Sequence, residues 1–268
     1  MKEFLFQEKI YYRTNEFDVV KPTLVFVHGL SGSSSAWVKY EEKFEKHYNI
    51  LSFDLRGHGK STKPKKYEEY EIWKFVEDLH QLLDFLDIKK PILVSHSFGT
   101  LIALGFLMKY QNDLLAAIFL SPGFVVGKRF LDKIVKPFLT FTHVLEILPF
   151  SSKPAGHIDY SKYLNTGDWN IPRMIADIGN TSLRVYLHCT KQSYAFDAED
   201  FLSKIRVPVL LMHGKKDTIF PMENSIFMAH KIPNSRLSLL DDANHILPLN
   251  FFPEVSQEIQ NFVEKHTR

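Results

Sequence analysis

The sequence of 268 residues has very little cysteine and almost no excess of charge of either sign. Its single cysteine, Cys189, excludes an intrachain disulfide and calls for no oxidising compartment, so we expect this thiol to pack in the core. The 33 basic and 31 acidic side chains give a formal charge of +2, too small to predict nucleic acid or an anionic membrane as the main partner. A small-molecule substrate fits better.

Long apolar segments and phosphate-binding motifs are also missing. The longest apolar run, Leu101–Met108, is far shorter than the ~20 residues that a membrane-spanning helix needs. The first residues, MKEFLFQEKIYY, lack the apolar stretch of a signal peptide, so we expect a cytoplasmic protein without stable membrane association. The glycine- and serine-rich run Ser31–Ser35 has neither a P-loop lysine nor the G-x-G-x-x-G pattern. Nothing in the sequence indicates a particular oligomeric state.

What is present is an alternation of two hydrophobic patterns. Near-continuous apolar runs predict strands buried on both faces, and apolar residues at three- and four-residue spacing, as in 72–86, predict helices between them. With an antiparallel edge hairpin at Glu3–Phe6 and Ile10–Tyr12, we expect an α/β fold with a mostly parallel eight-stranded sheet flanked by helices. The six buried runs are Leu24–Val27, Ile50–Phe53, Ile92–Val94, Ala116–Leu120, Val209–Met212 and Arg236–Leu240.

The alternation stops between Ser121 and Ala198, where helical patterns are broken by prolines and no strand is indicated. We therefore predict a core formed by residues 1–120 and 199–268, with a helical cap inserted at 121–198. The insertion is rich in aromatic rings, which either line a cleft or form a small core of their own. These rings are Phe124, Phe130, Phe138, Phe141, Phe150, Tyr160, Tyr163, Trp169, Tyr186, Tyr194 and Phe196.

One serine stands where a strand pattern passes directly into a helical pattern. In ILVSHSFGTLIALGF, residues 92–106, Ser97 occupies that junction. A side chain on a tight strand-to-helix turn is presented at the carboxyl edge of the sheet, where open α/β sheets bind ligands. The N–H of Phe98 is then unpaired at the positive end of the helix dipole, suited to a developing oxyanion. The pattern therefore predicts Ser97 as a nucleophile.

The pentapeptide SHSFG, residues 95–99, resembles the G-x-S-x-G nucleophile elbow of the α/β-hydrolase fold, with serine replacing the first glycine. The turn is crowded two residues on either side of Ser97. Gly99 meets this demand, whereas Ser95 keeps a Cβ and meets it less fully. The replacement predicts a slightly shifted strand, or stored strain, at Ser95. The resemblance covers nearly the whole chain and is weakest in the insertion.

A serine hydroxyl needs a base to take its proton and a carboxylate to hold that base. In the family that the elbow resembles, the order is serine, acid, histidine, each of the latter two following a late strand. VPVLLMHGKKD delivers Asp217, and LSLLDDANH delivers His245. Asp241 and Asp242 lie closer to His245 along the chain, but we expect them to shape its loop. The predicted triad is Ser97, Asp217 and His245.

The loop after the first central strand, VFVHGLSGSSSAW, contains the family's His-Gly dipeptide. The resemblance implies that the N–H of Leu30 is the second oxyanion donor beside that of Phe98. His28 is expected to be structural. DLRGHGKS, residues 54–61, also resembles a family turn, and we expect His58 to pack within it because no second metal ligand lies at suitable spacing.

The resemblance implies a serine hydrolase that cleaves short- to medium-chain acyl or aromatic esters through an acyl-enzyme, without metal or organic cofactor. Ser97 argues against the dehalogenases and epoxide hydrolases of this fold, which use an aspartate. The same triad leaves open a lactonase, thioesterase, carbon–carbon bond hydrolase, cofactor-free haloperoxidase, acyltransferase or aminopeptidase. A ligand-binding module on a hydrolase scaffold is another possibility. A membrane-associated lipase is a third, with an apolar face of Phe130, Ile134, Phe138, Phe141, Leu145 and Leu148.

Overall fold

The computed structural model describes residues 1–124 and 150–267. The apolar face predicted from residues 130–148 lies outside the described residues, as do the predicted rings of Phe130, Phe138 and Phe141. The remainder of the predicted insertion, residues 121–124 and 150–198, is described.

Eight strands form one sheet in the spatial order β1-β2-β4-β3-β5-β6-β7-β8. The β1–β2 hairpin lies at one edge and joins β4 in antiparallel fashion, and every other neighbouring pair is parallel. This confirms the predicted mostly parallel sheet and its edge hairpin. The strands are β1 (Lys2–Phe6), β2 (Ile10–Thr14), β3 (Thr23–Val27), β4 (Asn49–Phe53), β5 (Ile92–His96), β6 (Ala116–Leu120), β7 (Val209–Gly214) and β8 (Ser235–Leu240).

Helices cover both faces of the sheet. Successive residues of the central strands alternate between two apolar clusters, so that Val25 packs against α2 and α3 while Leu24 packs against α1 and α8. The described α-helices are α1 (Val38–Phe44), α2 (Ile72–Phe85), α3 (Phe98–Tyr110), α4 (Ile171–Thr181), α5 (Leu183–Ala195), α6 (Glu223–Lys231), α7 (Leu247–Asn250) and α8 (Phe252–Thr267). Short 3₁₀ turns occupy Ser34–Trp37, Tyr67–Tyr70, Gln111–Asp113, Tyr160–Tyr163 and Glu199–Lys204.

The central strands are mostly apolar because both of their faces are covered. Every residue of β3, β4 and β6 is buried, and complete burial of one large apolar side chain contributes ~1.5–3 kcal/mol. This core holds the carboxyl ends of β5, β7 and β8 in fixed positions along one edge. The predicted nucleophile, acid and base follow these three ends.

Two helices of the 121–198 segment pack on the core beside this edge. Asn170 caps α4 by accepting the N–H of Arg173 at 2.9 Å, and Ser182, with a positive φ of 86°, separates α4 from α5. Val185 and Cys189 of α5 are fully buried in the cluster that contains α2, as expected for the lone cysteine. None of the helices in residues 1–124 or 150–267 is both long enough and apolar enough to cross a bilayer.

Candidate active site

Ser97 occupies a strained corner between β5 and α3. Its backbone angles, φ 50° and ψ −118°, are seldom adopted by a residue with a side chain. The backbone N–H of Thr100 donates a hydrogen bond to the Ser97 carbonyl at 2.8 Å. A Cβ on Gly99 would lie only 2.6 Å from the carbonyl oxygen of His28 and 2.7 Å from that of Val27. Glycine is therefore required for α3 to approach the end of β3, and this approach fixes the corner.

The strand leading to this corner is regular. Ser95 pairs in register with Val27 on one side and Phe119 on the other, and its Oγ donates to the carbonyl of Ile118 at 3.3 Å. The predicted shift of the strand at Ser95 is therefore wrong, because the hydroxyl bonds to the neighbouring strand while the pairing continues to His96. The positive φ lies at Ser97 and not at Ser95.

The structure brings the three predicted triad side chains together. Nε2 of His245 lies 2.8 Å from Oγ of Ser97, and Nδ1 of His245 lies 2.8 Å from Oδ2 of Asp217. An ionised carboxylate only accepts, so Nδ1 carries the proton and Nε2 is left to accept the serine proton. The chain of hydrogen bonds thus aligns a hydroxyl, a basic nitrogen and a carboxylate in the order that proton abstraction requires.

Asp217 is held by four donors in a buried pocket. Its Oδ1 accepts the N–H groups of Ile219 and Phe220, both at 2.9 Å, and its Oδ2 faces Nε2 of His213 at 3.2 Å as well as His245. Burial disfavours the charged carboxylate, but the hydrogen bonds from His213 and His245 outweigh it and hold the pKa of Asp217 well below its usual range. Asp217 is therefore an anion over any ordinary working pH.

Backbone contacts on both sides hold the His245 loop. The His245 N–H donates to Oδ1 of Asp168 at 2.8 Å, and the His245 carbonyl accepts from Nε2 of His96 at 2.8 Å. Asp241 and Asp242 point away from the imidazole and pair with Lys215 and Lys216 at 2.7 Å each, which agrees with a role in shaping the loop.

Two backbone N–H groups border the same cavity as Ser97. Phe98 begins α3, and Leu30 follows the end of β3 in a turn closed by the Gly32 N–H donating to the Gly29 carbonyl at 3.1 Å. No hydrogen bond from the N–H of Leu30 or Phe98 to another protein group is found within the described part of the chain. Within the described residues, both N–H groups are thus available to a bound oxygen atom.

His28 and His58 are buried, and their rings form hydrogen bonds with the backbone of the loops around them. His28 accepts the N–H of Leu55 at Nε2 (3.0 Å) and donates from Nδ1 to the carbonyl of Gly29 (2.8 Å). Burial lowers the pKa of both rings, that of His58 to about 3, so both are neutral. Across the described residues, no three His, Cys, Asp or Glu side chains converge as metal ligands do.

A cavity of about 500 Å³ opens onto Ser97. Its wall combines core loops with residues of the 121–198 segment. Some of the aromatic rings of this segment line the cavity, and others pack in the core. The rings that line the cavity are Phe124, Tyr160, Trp169, Tyr186 and Tyr194. Phe150 and Phe196 instead pack against the apolar cluster that contains α2 and α3.

One part of the cavity wall is polar. Tyr160 donates its hydroxyl to Oδ1 of Asp177 at 3.0 Å, while Arg173 lies 4.0 Å from Oδ2 of the same carboxylate. Burial raises the pKa of Asp177 to about 6, although Arg173 and Tyr160 act in the opposite direction. The buried Nε of Arg173 has no hydrogen-bond partner among the described residues. This wall thus places a weakly acidic carboxyl at the cavity.

Three contributors to the site, His96, His213 and Asp168, were not found from the sequence. His213 is the polar residue that ends the apolar run of β7, four positions before Asp217, and His96 directly precedes Ser97; both positions could have attracted notice. Asp168 carries no such signal, because it lies 77 residues from His245 in a segment without strand register.

A strained serine corner, an imidazole and a buried carboxylate at the carboxyl edge of a mostly parallel sheet are features of a hydrolase architecture. Residues 22–251 match the family described as alpha/beta hydrolase fold. The chain therefore belongs to the α/β-hydrolase fold family, and this membership supports a hydrolase activity.

Known proteins similar to this chain are diverse in activity. The (E)-2-((N-methylformamido)methylene)succinate hydrolase of Acinetobacter baylyi is 26% identical over 90% of this chain and 90% of its own. A thermophilic esterase from Thermogutta terrifontis aligns with TM-score 0.75 and 20% identity over 97% of this chain and 94% of its own. The enol-lactonase from Burkholderia xenovorans LB400 aligns with TM-score 0.74 and 22% identity over 95% and 96%. These structural likenesses establish the shared fold.

Proposed function

We propose that the protein is a carboxylesterase-type serine hydrolase that cleaves short- to medium-chain acyl or aromatic esters. Ser97 is the nucleophile, His245 the general base and acid, and Asp217 the group that orients and stabilises the imidazolium. The observation that carries this proposal is the pair of 2.8 Å hydrogen bonds that join Ser97 to His245 and His245 to Asp217.

Acylation begins when Nε2 of His245 takes the hydroxyl proton and Oγ of Ser97 forms a bond to the ester carbonyl carbon. The tetrahedral intermediate then collapses, the bond to the alcohol oxygen breaks, and the imidazolium returns its proton to the leaving alkoxide. In deacylation, His245 takes a proton from water while the hydroxide attacks the acyl carbon. The second tetrahedral intermediate then collapses, the bond from Oγ of Ser97 to the acyl carbon breaks, and the imidazolium returns its proton to Oγ, which releases the acid and restores the hydroxyl.

The negative charge of both intermediates develops on the former carbonyl oxygen. We assign its stabilisation to the N–H groups of Leu30 and Phe98, whose lack of protein acceptors supports this role. The N-terminal end of α3 adds its positive dipole at the same place. All proton transfers and charge stabilisation in these steps come from protein groups, so the proposed reaction uses no metal or organic cofactor.

The segment 121–198 is proposed to act as a cap that selects the substrate. Its aromatic side chains and residues of α4 and α5, both apolar and polar, line the cavity next to Ser97. A volume of about 500 Å³ lies in the range for small-molecule sites, which supports a medium-sized acyl or aromatic substrate.

Lactone hydrolysis is the second candidate, because a lactone is a cyclic ester and opens by the same steps. The carboxyl of Asp177 in the cavity wall favours it, since it could hold a polar group beside a lactone ring. The enol-lactonase with the same fold is consistent with this alternative.

A panel of p-nitrophenyl esters from acetate to laurate, with lactones and an anilide alongside, tests the proposal. We expect ester turnover with the best kcat/KM at short to medium chains, and a loss of at least ~10³-fold in kcat for Ser97→Ala. A preference for lactones of more than ~10-fold in kcat/KM would favour the second candidate. Absence of turnover across the panel would contradict both.

A further inference from the structure

The carboxylate of Asp168 joins the 121–198 segment to two loops of the core. Its Oδ1 accepts the backbone N–H of His245 at 2.8 Å. Its Oδ2 accepts both the N–H and the hydroxyl of Thr218, at 2.9 and 2.8 Å. Thr218 directly follows Asp217, so one side chain contacts the loop of the proposed acid and the loop of the proposed base.

These contacts fix the positions of the Thr218 and His245 loops and also the distance between them. The two oxygens of one carboxylate are held apart by covalent geometry, and each oxygen is bonded to a different loop. Asp168 is only 8% exposed, so water does not compete freely for these bonds. Both oxygens thus accept hydrogen bonds from protein donors, and the carboxylate is engaged in holding the two loops.

The anchor itself is held firmly. Arg173 donates to the backbone carbonyl of Asp168 at 2.7 Å and to that of Gly167 at 3.3 Å. The carbonyl of Thr166 accepts the side-chain amides of Asn244 and Asn250, at 2.9 and 2.8 Å. The stretch 166–168 is thus bonded to α4 on one side and to the His245 loop on the other.

On the basis of the function proposed above, we infer that Asp168 is a positioning residue for the reaction at Ser97. It sets the separation between the carboxylate of Asp217 and the imidazole of His245 through the backbone of each loop. Removal of the clamp should slow the proton transfers while leaving substrate affinity largely intact, because small displacements of catalytic groups act on kcat.

The decisive variant is Asp168→Asn. The amide keeps the size of the side chain but replaces one acceptor oxygen by an N–H group, which must then face an N–H donor of Thr218 or His245. We expect kcat for p-nitrophenyl acetate to fall by ~10- to 100-fold with KM changed by less than ~3-fold. The matched control is Asp159→Asn in the same segment, which should leave kcat unchanged. Among the described residues, the exposed carboxylate of Asp159 contacts Ser161 and Lys162.

Thr218 offers a second test that does not depend on the folding of the Asp168 variant. Thr218→Ser retains the hydroxyl that bonds Asp168 and should keep kcat near the wild-type value. Thr218→Val removes that hydroxyl at nearly equal volume and should lower kcat by ~3- to 10-fold. Equal activity of the two Thr218 variants would contradict the clamp.

Hydrogen exchange supplies a readout that is independent of catalysis. In Asp168→Asn, peptides containing Thr218 and His245 should exchange at least ~10-fold faster, with β3 and α3 unchanged. Wild-type kcat in Asp168→Asn, or unchanged exchange in both loops, would overturn the inference. Failure of the proposed function looks different: the wild-type protein then cleaves no ester, and the exchange experiment still decides whether Asp168 holds both loops.

Discussion

The ring of His96 is bonded to the backbone of His245, the residue that contacts Ser97. Nε2 of His96 lies 2.8 Å from the His245 carbonyl oxygen, and the centres of the two rings are 5.1 Å apart. A carbonyl oxygen only accepts, so Nε2 of His96 carries a proton. His96 thus holds the loop of His245 at the His245 carbonyl, whereas Asp168 holds it at the His245 N–H.

His96→Phe should impair this support. It leaves the His245 carbonyl without its donor, which should lower the free energy of unfolding by ~1–3 kcal/mol and kcat by ~10- to 100-fold. His96→Gln, which keeps an N–H donor, should recover part of both losses.

Burial and the neighbouring His245 lower the pKa of His96 to about 3, so the ring is neutral near pH 7. The acid limb of the pH–kcat profile should therefore be the same in His96→Gln as in the wild type; a displaced limb would contradict a purely structural role.

Gly99 in the elbow and Gly179 in α4 allow a matched pair of glycine substitutions. In Gly99→Ala, the new Cβ meets two backbone carbonyls at 2.6 and 2.7 Å, so we expect a loss of at least ~2 kcal/mol in unfolding free energy and a large loss of turnover. Gly179 lies within α4, and in the described part of the chain no atom outside the backbone of its own helix lies within 4 Å of an added Cβ. Gly179→Ala should therefore be neutral or stabilise by up to ~1 kcal/mol. Urea unfolding and ester kinetics check both. A harmless Gly99→Ala would show that α3 does not need its close approach to β3.

Ser95→Gly restores the glycine usual in the elbow motif. Because Ser95 sits in regular pairing, the change should relieve no strain and should lower the unfolding free energy by ~0.5–1 kcal/mol, the usual effect of glycine within a strand. Turnover should stay within ~3-fold of the wild type. Higher stability would reveal strain at this position, and a large loss of turnover would indicate a catalytic part for the Ser95 hydroxyl.

Asp177 makes stability depend on pH in a predictable direction. Its pKa in the folded protein, about 6, exceeds the value of ~3.9 in an unfolded chain, so the folded state binds this proton more tightly. The stability that comes from the protonated carboxyl is fully present below about pH 4 and is lost as pH rises to about 6. In Asp177→Asn, the amide does not titrate, and its oxygen still accepts the hydrogen bond from the hydroxyl of Tyr160. The unfolding free energy of Asp177→Asn relative to the wild type should thus rise by on the order of 2–3 kcal/mol between pH 4 and 7. A constant difference in urea unfolding over this range would contradict the raised pKa.

The sheet and the three triad candidates could be predicted because their signals are local. A strand buried on both faces is mostly apolar, and a residue that follows it lies at the sheet edge whatever the rest of the chain does. Ser97 and Asp217 follow such strands, and His245 follows the half-buried edge strand β8, which still carries an apolar pattern. The structure brings the three side chains into hydrogen-bond contact.

The supporting contacts could not be predicted because they depend on how distant segments pack. Asp168 meets His245 across 77 residues, and His96 meets it across 149. Helical periodicity in the 121–198 segment indicates which side is apolar but not where the segment sits. The expected shift at Ser95 was wrong for a related reason, since β5 keeps its pairing with β3 and β6 at this position.

The most direct test of the central claim is to trap the acyl group on the protein. A stopped-flow burst with p-nitrophenyl acetate, followed by acid quenching and peptide mass spectrometry, measures how much ester forms and on which residue. We expect close to one equivalent of p-nitrophenol per chain in the burst, an acetyl group on the peptide containing Ser97, and neither in Ser97→Ala. An acetyl group on another residue, or an equal burst in Ser97→Ala, would contradict the central claim.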